Sequence, residues 1–409
     1  MSTPHDVVII GGGLAGAKTA EALREQGFEG TVTLLAAEDR LPYERPPLSK
    51  DYLSGGSTFD EALVHDEDWY RDQHVDLRLG TRATSVDTVG RQVRLADGTS
   101  IAYDKLVLAT GSTPRELTST GAPAGGLHYL RTKEDADALK PLFGAGKRVA
   151  IVGGGWIGLE VAATARAAGT EVTVLEESTL PLLKVLGPEM AEVFAALHRD
   201  HGVDLRTTAH VEQILRQGTE PTGVLLGGGD TVDADAIIVG IGATPDVRLA
   251  EEAGLAVDDG VLVDASLRTS DPDVYAVGDI AHADHPTLGR RIRVEHWAAA
   301  LSQPAVAAAS LLGGNDVYDE LPYFFSDQFD LGMECVGFAP QGSYDRVVTR
   351  GDVAGREFVA FWLDAENHIL QAMNVNVWDV VDEVKPLVAE RRVVDPEKLA
   401  DPSVAYSDL

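Results

Sequence analysis

Two runs of apolar strand, glycine turn and alanine-rich helix, VVIIGGGLAGAKTA from Val7 and VAIVGGGWIGLE from Val149, set the fold class together with a change to aromatic-rich strands near Pro322. They predict an α/β protein with two Rossmann-like dinucleotide-binding domains and a C-terminal α+β domain.

In the first run the strand passes through Gly11, Gly13 and Gly16 into a helix over Leu14 to Gln26, and a second strand, TVTLLAA, follows. The first glycine permits the tight turn, the second lets backbone approach a pyrophosphate, and the third lets helix and strand pack closely. Gly153, Gly155 and Gly158 repeat the pattern before the strand EVTVLE. One such match is weak; two, each with its strand and helix, are specific. Between them, the three prolines of LPYERPPLSK exclude a continuous helix, and short strands around DG and VG turns lead to the buried strand KLVLA. ADAIIVGIGATP reads as another buried strand entering a glycine turn, and after it come short strands and DVYAVGDIA. The chain beyond Val381 reads as helix and then polar tail, and is expected to pack loosely.

Each unit also ends a strand in a carboxylate: Glu38, 22 residues past Gly16, and Glu176, 18 past Gly158. An acid at that spacing accepts the hydroxyls of an adenosine ribose. Glu176 is followed by Glu177 and Ser178, with no lysine or arginine for a 2′-phosphate, which favours NADH over NADPH. FAD and NAD are the economical pair for two such sites, since a nicotinamide delivers hydride and a flavin releases electrons singly.

The chain of 409 residues exceeds one compact core. Its net charge of −31, from 65 acids and 34 bases, argues against nonspecific binding to nucleic acid or anionic membrane. No apolar run approaches the roughly 20 residues of a membrane span, and no basic, apolar leader opens the sequence, so a cytoplasmic location is expected. The one cysteine, Cys335, excludes an intramolecular disulfide or CxxC pair and is expected in the core. His198, His201 and the other histidines lack metal-ligand spacing and are expected at the surface.

The order of GGGLAG, LPYERPPLSK, YDKLVLATGSTPR, LRTKEDADAL, GGGWIGLE, VTVLE, VGIGATP, VYAVGDIA, VEHWAAA and PYFFSDQFD resembles the FAD-dependent NADH–ferredoxin reductases of bacterial haem-thiolate monooxygenase and Rieske-type dioxygenase systems. The resemblance spans essentially the whole chain. It implies a glutathione-reductase-like fold: an FAD domain split over residues 1–112 and 245–321, an NAD domain at 113–244, and a C-terminal domain at 322–409. It implies that Gly11, Gly13, Leu14, Ala15 and Gly16 hold the FAD pyrophosphate, and that Ala109, Thr110, Gly111 and Gly278 bind the same cofactor. Arg45 and Lys50 would reach the FAD, Ala83 and Arg131 its adenosine half, and Asp279 its ribityl or phosphate region. Glu295, His296 and Trp297 would approach the pyrimidine edge of the flavin. Gly153, Gly155, Trp156, Ile157, Gly158, Glu176 and Gly242 would bind NAD. Glu160 would pair with Lys50 beside the hydride path, and these two are the candidate catalytic residues.

Two departures stand out. Relatives often carry the adenosine acid where this chain has Ala37, which weakens the assignment of Glu38, and many have tryptophan in place of Phe325. The implied partner is a two-iron ferredoxin. Ferredoxins are usually acidic, so docking on this acidic protein requires a local basic patch. The candidates are Arg290, Arg291 and Arg293, then Arg391 and Arg392. A lone cysteine rules out the thiol relay of disulfide reductases, so electrons must leave the flavin directly. The alternatives are a reductase for rubredoxin, a quinone or another small acceptor, or an NADH-responsive flavoprotein switch of the apoptosis-inducing-factor type.

Overall fold

The strand Asp6–Ile10 is the centre of a five-stranded parallel sheet in the computed structural model, which describes residues 4–118 and 126–409. It pairs with Thr31–Leu35 on one side and Lys105–Leu108 on the other, with Val75–Arg78 and Val274–Ala276 outermost. A parallel strand in that position is covered on both faces, which is why VVII is apolar throughout and not alternating.

The described residues fall into two compact units. The first contains that sheet and runs up to Glu44, then over Phe59–Thr113 and Thr244–Pro322. It adds an antiparallel sheet of Ala83–Asp87, Gln92–Leu95 and Ser100–Ala102. A further small sheet joins Val261–Val263, Ala281–His285 and Arg290–Ile292. The helices Leu14–Glu25 and Trp297–Leu311 pack together through small residues, Ala17 and Ala20 on one, Ala307 and Ala308 on the other, all fully buried. Side chains this small let backbones approach closely.

The second unit comprises Arg45–Thr58, Pro114–Ala243 and Tyr323–Leu409. Its parallel sheet is ordered Asp204–Arg206, Glu171–Leu175, Arg148–Val152, Ala236–Val239, Leu127–His128, the same arrangement about a central glycine-turn strand. An antiparallel sheet follows from Tyr323–Gln328, Leu331–Gly337, Ile369–Val375, Glu357–Leu363 and Arg346–Asp352 in spatial order. The proline-rich loop from Arg45 onward belongs to this unit because its short 3₁₀ turn, Pro46–Ser49, lies on the helix Trp156–Ala167, where Thr164 Oγ1 donates to Ser49 O at 2.8 Å.

Two sequence expectations need correction. The C-terminal stretch is held firmly: Val384, Leu387 and Val388 of the helix Val381–Ala389 are buried against the strands Leu331–Gly337 and Ile369–Val375, and Leu399 is buried beyond them. Its polar residues occupy the outer face of that helix. His198 and His285 are not surface residues but fully buried. His198 follows Met190 and Phe194 at four-residue spacing on the inner face of Leu183–Asp200, so its position on the helix sets its burial. Cys335 is buried in the strand Leu331–Gly337, as its small apolar character implied.

Candidate active site

Gly11 has φ of +125°, and a Cβ there would lie 2.0 Å from Ala109 O. A Cβ on Gly16 would lie 1.9 Å from Gly11 O, so both glycines are demanded by the protein's own backbone. Gly13 differs: a Cβ there would meet nothing within 4 Å. Gly13 is also the N-cap of Leu14–Glu25 and supplies no side-chain cap, leaving first-turn N–H groups for an anion. Glycine at a place where the protein itself has room fits close approach by a pyrophosphate.

Around this turn the first unit gathers several predicted residues. Ala109 N donates to Ile10 O at 2.8 Å, and Thr110 Oγ1 donates to Asp246 O at 2.6 Å. Gly278, at φ of +74°, comes close to Ala15 and donates its N–H to Gln303 Oε1 at 2.7 Å. That bond sets the 3₁₀ turn Gly278–Ile280, which carries Asp279. Gln303 escaped sequence reading, because a lone amide within an alanine-rich helix gives no signal. Ala83 begins its strand, buried. Glu38 accepts a hydrogen bond from Tyr43 Oη at 2.6 Å. Trp297 Nε1 donates to Glu44 Oε2 at 3.0 Å, next to the helix N-cap His296.

The second turn repeats the first. A Cβ on Gly153 would lie 2.4 Å from Gly240 O and one on Gly158 2.2 Å from Gly153 O, whereas Gly155 would have only Gly240 O at 3.8 Å. Glu176 closes on this turn: its Oε2 accepts from Gly154 N and its Oε1 from Ser178 N, both at 2.7 Å. The acid thus stands at the mouth of the glycine turn. Trp156 opens the helix with its ring edge-on to Phe194 and Phe324, while Ile157 is partly exposed. Gly242, at φ of +103°, accepts from Arg115 N at 2.9 Å.

Within the second unit Lys50 Nζ lies 2.9 Å from Glu160 Oε2. The lysine is 14% exposed and the glutamate 4%. Such a pair is stable only with good geometry and the remaining lone pairs satisfied. Ser49 Oγ also donates to Oε2, and Ser326 Oγ donates to Oε1 at 2.7 Å. The ammonium further lies 5.4 Å from the centre of the Phe325 ring. Arg45 Nη1 donates to Arg131 O, joining two more of the predicted residues, and Arg131 N donates to Asp135 Oδ2 at 3.0 Å.

The arginine cluster is not a uniform patch. Arg293 is largely buried and ion-paired with Asp259 and Glu295, so it neutralises local acids and does not face a partner. Arg291 Nη1 is engaged by Val263 O at 2.7 Å, although the residue stays exposed. Arg391 and Arg392 pair with Asp364 and Glu390 at 3.0 and 2.7 Å.

Two parallel sheets, each with a glycine turn that fits a phosphate and an acid within three residues past its second strand, define a two-nucleotide oxidoreductase. The profile of the pyridine nucleotide-disulphide oxidoreductases matches residues 5–303, and that of the reductase C-terminal domain matches 323–409. The chain belongs to this family, in its ferredoxin–NAD+ reductase branch, and works with FAD and NAD(H). It is 42% identical to the ferredoxin–NAD+ reductase component of the anthranilate 1,2-dioxygenase system of Burkholderia cepacia, over 97% of each chain. It is 37% identical to putidaredoxin reductase of Pseudomonas putida, over 100% of this chain and 97% of that one. The crystal structure of a covalent putidaredoxin reductase–putidaredoxin complex superposes with a TM-score of 0.95 at 37% identity, covering 100% of this chain and 98% of the other. Among the described residues no helix is long and apolar enough to cross a membrane.

Proposed function

We infer that the protein is an NADH-dependent FAD reductase that passes electrons singly to a two-iron ferredoxin, which serves a haem-thiolate monooxygenase or a Rieske-type dioxygenase in the cytoplasm. Bound FAD supplies the conversion of one hydride into two single electrons. The FAD domain is assigned to residues 1–112 and 245–321, the NAD domain to 113–244, and the C-terminal domain to 322–409. The turn from Gly11 to Gly16 offers backbone N–H groups to the FAD pyrophosphate, with Ala109 to Gly111, Gly278 and Asp279 beside it. Glu38, Ala83 and Arg131 bind the adenosine half, Arg45 reaches the FAD, and Glu295, His296 and Trp297 approach the flavin's pyrimidine edge. The turn from Gly153 to Gly158, with Glu176 and Gly242, holds NADH. Lys50 presents a positive charge where hydride arrives, and Glu160 fixes that ammonium.

The state of Cys335 carries this reading. It is the one sulfhydryl in the chain, it is buried, and burial pushes its thiol well above the usual range, so no thiolate relays electrons. An external acceptor must take them from the flavin. The test is anaerobic titration with NADH, then stopped-flow reoxidation and cytochrome c reduction with a panel of ferredoxins. Rapid turnover with a two-iron ferredoxin is expected. A long-lived reduced protein indifferent to every ferredoxin would replace the reductase with a switch.

A further inference from the structure

Behind the Lys50–Glu160 pair runs a line of buried polar side chains that the reaction itself does not call for. Ser326 Oγ lies 2.7 Å from Glu160 Oε1, Gln328 Nε2 lies 3.0 Å from Ser326 Oγ, and His198 Nε2 lies 2.9 Å from Gln328 Oε1. Ser326, Gln328 and His198 are each at most 1% exposed. Ser326 and Gln328 stand two apart on one strand and so share its inner face, while Asp327 between them is on the exposed face. His198 comes from the helix Leu183–Asp200.

The carboxylate dictates every hydrogen in this line. An ionised Glu160 only accepts, so the Ser326 hydroxyl must give its proton to Oε1. Ser326 Oγ can then only accept from the next member, which obliges Gln328 to present its NH₂ there and its carbonyl oxygen to His198. That oxygen requires a proton on His198 Nε2. Flipping the amide would turn the serine proton away from Glu160 and set two lone pairs against each other. His198 Nδ1 is buried with no hydrogen-bond partner among the described residues, as expected of a neutral ring protonated at Nε2.

We propose that Ser326, Gln328 and His198 form a one-way line of donors that holds Glu160 in place as the counter-charge of Lys50, and are thereby positioning residues for hydride transfer. Aligned dipoles polarise one another in a dry interior, so the line is worth more to a buried carboxylate than one serine alone. It cannot act as a proton wire, because the Gln328 amide does not pass protons on. The other groups facing Glu160 are Lys50 and Ser49, with Asp327 acting on it through space. His201, the C-cap of that helix, opposes a charge on His198, and Phe329 presents its ring edge-on.

The inference rests on the reading that the Lys50–Glu160 pair serves hydride transfer, so the experiment separates the two. Anaerobic stopped-flow reduction of the FAD-loaded protein by NADH is followed from pH 5 to 8 in wild type, Glu160→Gln, Ser326→Ala, Ser326→Thr and Gln328→Leu. Loss of one charge-assisted donor predicts about tenfold slower reduction at neutral pH in Ser326→Ala, with the acid limb of the profile moved up by about one pH unit. Gln328→Leu shows the same shift, smaller, and Ser326→Thr recovers the wild-type profile. Should Glu160→Gln be slow while Ser326→Ala and Gln328→Leu keep the wild-type profile, the positioning role is wrong. A Glu160→Gln variant as fast as wild type would remove the pair from the hydride step itself.

A second readout is independent of turnover. Nitrogen-15 NMR of the histidine-labelled holoprotein, assigned with His198→Gln, is expected to show His198 neutral and protonated at Nε2 at pH 6. A proton on Nδ1, or an imidazolium at that pH, would overturn the direction of the line.

Discussion

His198 Nε2 stands 2.9 Å from Gln328 Oε1, joining residues 130 positions apart inside the second unit. Burial, opposed in part by that hydrogen bond, lowers the imidazole to a pKa of about 4, from an ordinary 6.5. Above pH 6.5 neither folded nor unfolded chain binds a proton there, and the native state suffers no penalty. As pH falls, the unfolded chain takes up the proton first, so stability is lost from about pH 6.5 down to about pH 4. The shift corresponds to roughly 3 kcal/mol across that window. Denaturant melts of wild type and His198→Gln should therefore converge as the pH drops from 7 to 4. Parallel stability curves would show that His198 is protonated in the native state.

The glycine turns make a sharper forecast, because the three glycines of each turn do different work. Gly155 has an extended backbone and open space ahead of it, so Gly155→Ala should fold with unchanged melting temperature. It should nevertheless raise the Michaelis constant for NADH, since the methyl group stands where the phosphates approach. Gly158→Ala would drive a methyl group to 2.2 Å from Gly153 O and should cost roughly 1–3 kcal/mol or more in stability. If Gly155→Ala leaves NADH kinetics untouched, the second turn does not hold the pyrophosphate.

These turns were legible in sequence because glycine is the only residue that serves all three tasks, and the spacing survives in the linear chain. The parallel sheets around them were legible for a related reason: strands covered on both faces must be apolar throughout, as VVII and AIIV are. The supports of Glu160 were not legible. Ser49, Ser326, Gln328 and His198 come from three distant segments, and no local pattern marks a serine that will face a buried acid. His198 alone left a trace, four residues after Phe194 on a buried helix face. Arg293 misled in the opposite sense. Three arginines within four positions look like a patch, but Arg293 lies just past the end of the strand Arg290–Ile292 and turns onto Asp259 and Glu295.

Glu176 divides its carboxylate between Gly154 N and Ser178 N, which fixes the acid at the mouth of the second turn. Glu176→Ala should raise the Michaelis constant for NADH about tenfold, the value of one charge-assisted hydrogen-bond set, while bound FAD is retained. The measurement pairs steady-state kinetics using ferricyanide with the flavin absorbance of the purified variant. Loss of flavin with unaltered NADH affinity would mean that the two nucleotide units are assigned backwards.

Docking of an acidic ferredoxin on a chain of net charge −31 depends on whichever arginines remain exposed. Arg290 and Arg291 qualify, whereas Arg293 does not. Arg290→Glu with Arg291→Glu should slow ferredoxin reduction about tenfold at low salt, with the defect shrinking as ionic strength rises and screening shortens the field. Oxidation of NADH by ferricyanide, a small acceptor that needs no docking surface, should keep its wild-type rate. Arg293→Glu should behave differently, losing about 1–3 kcal/mol of stability because it removes a largely buried cation and sets a third acid beside Asp259 and Glu295. Equal loss of ferredoxin and ferricyanide activity in the double variant would place the docking face elsewhere on the protein.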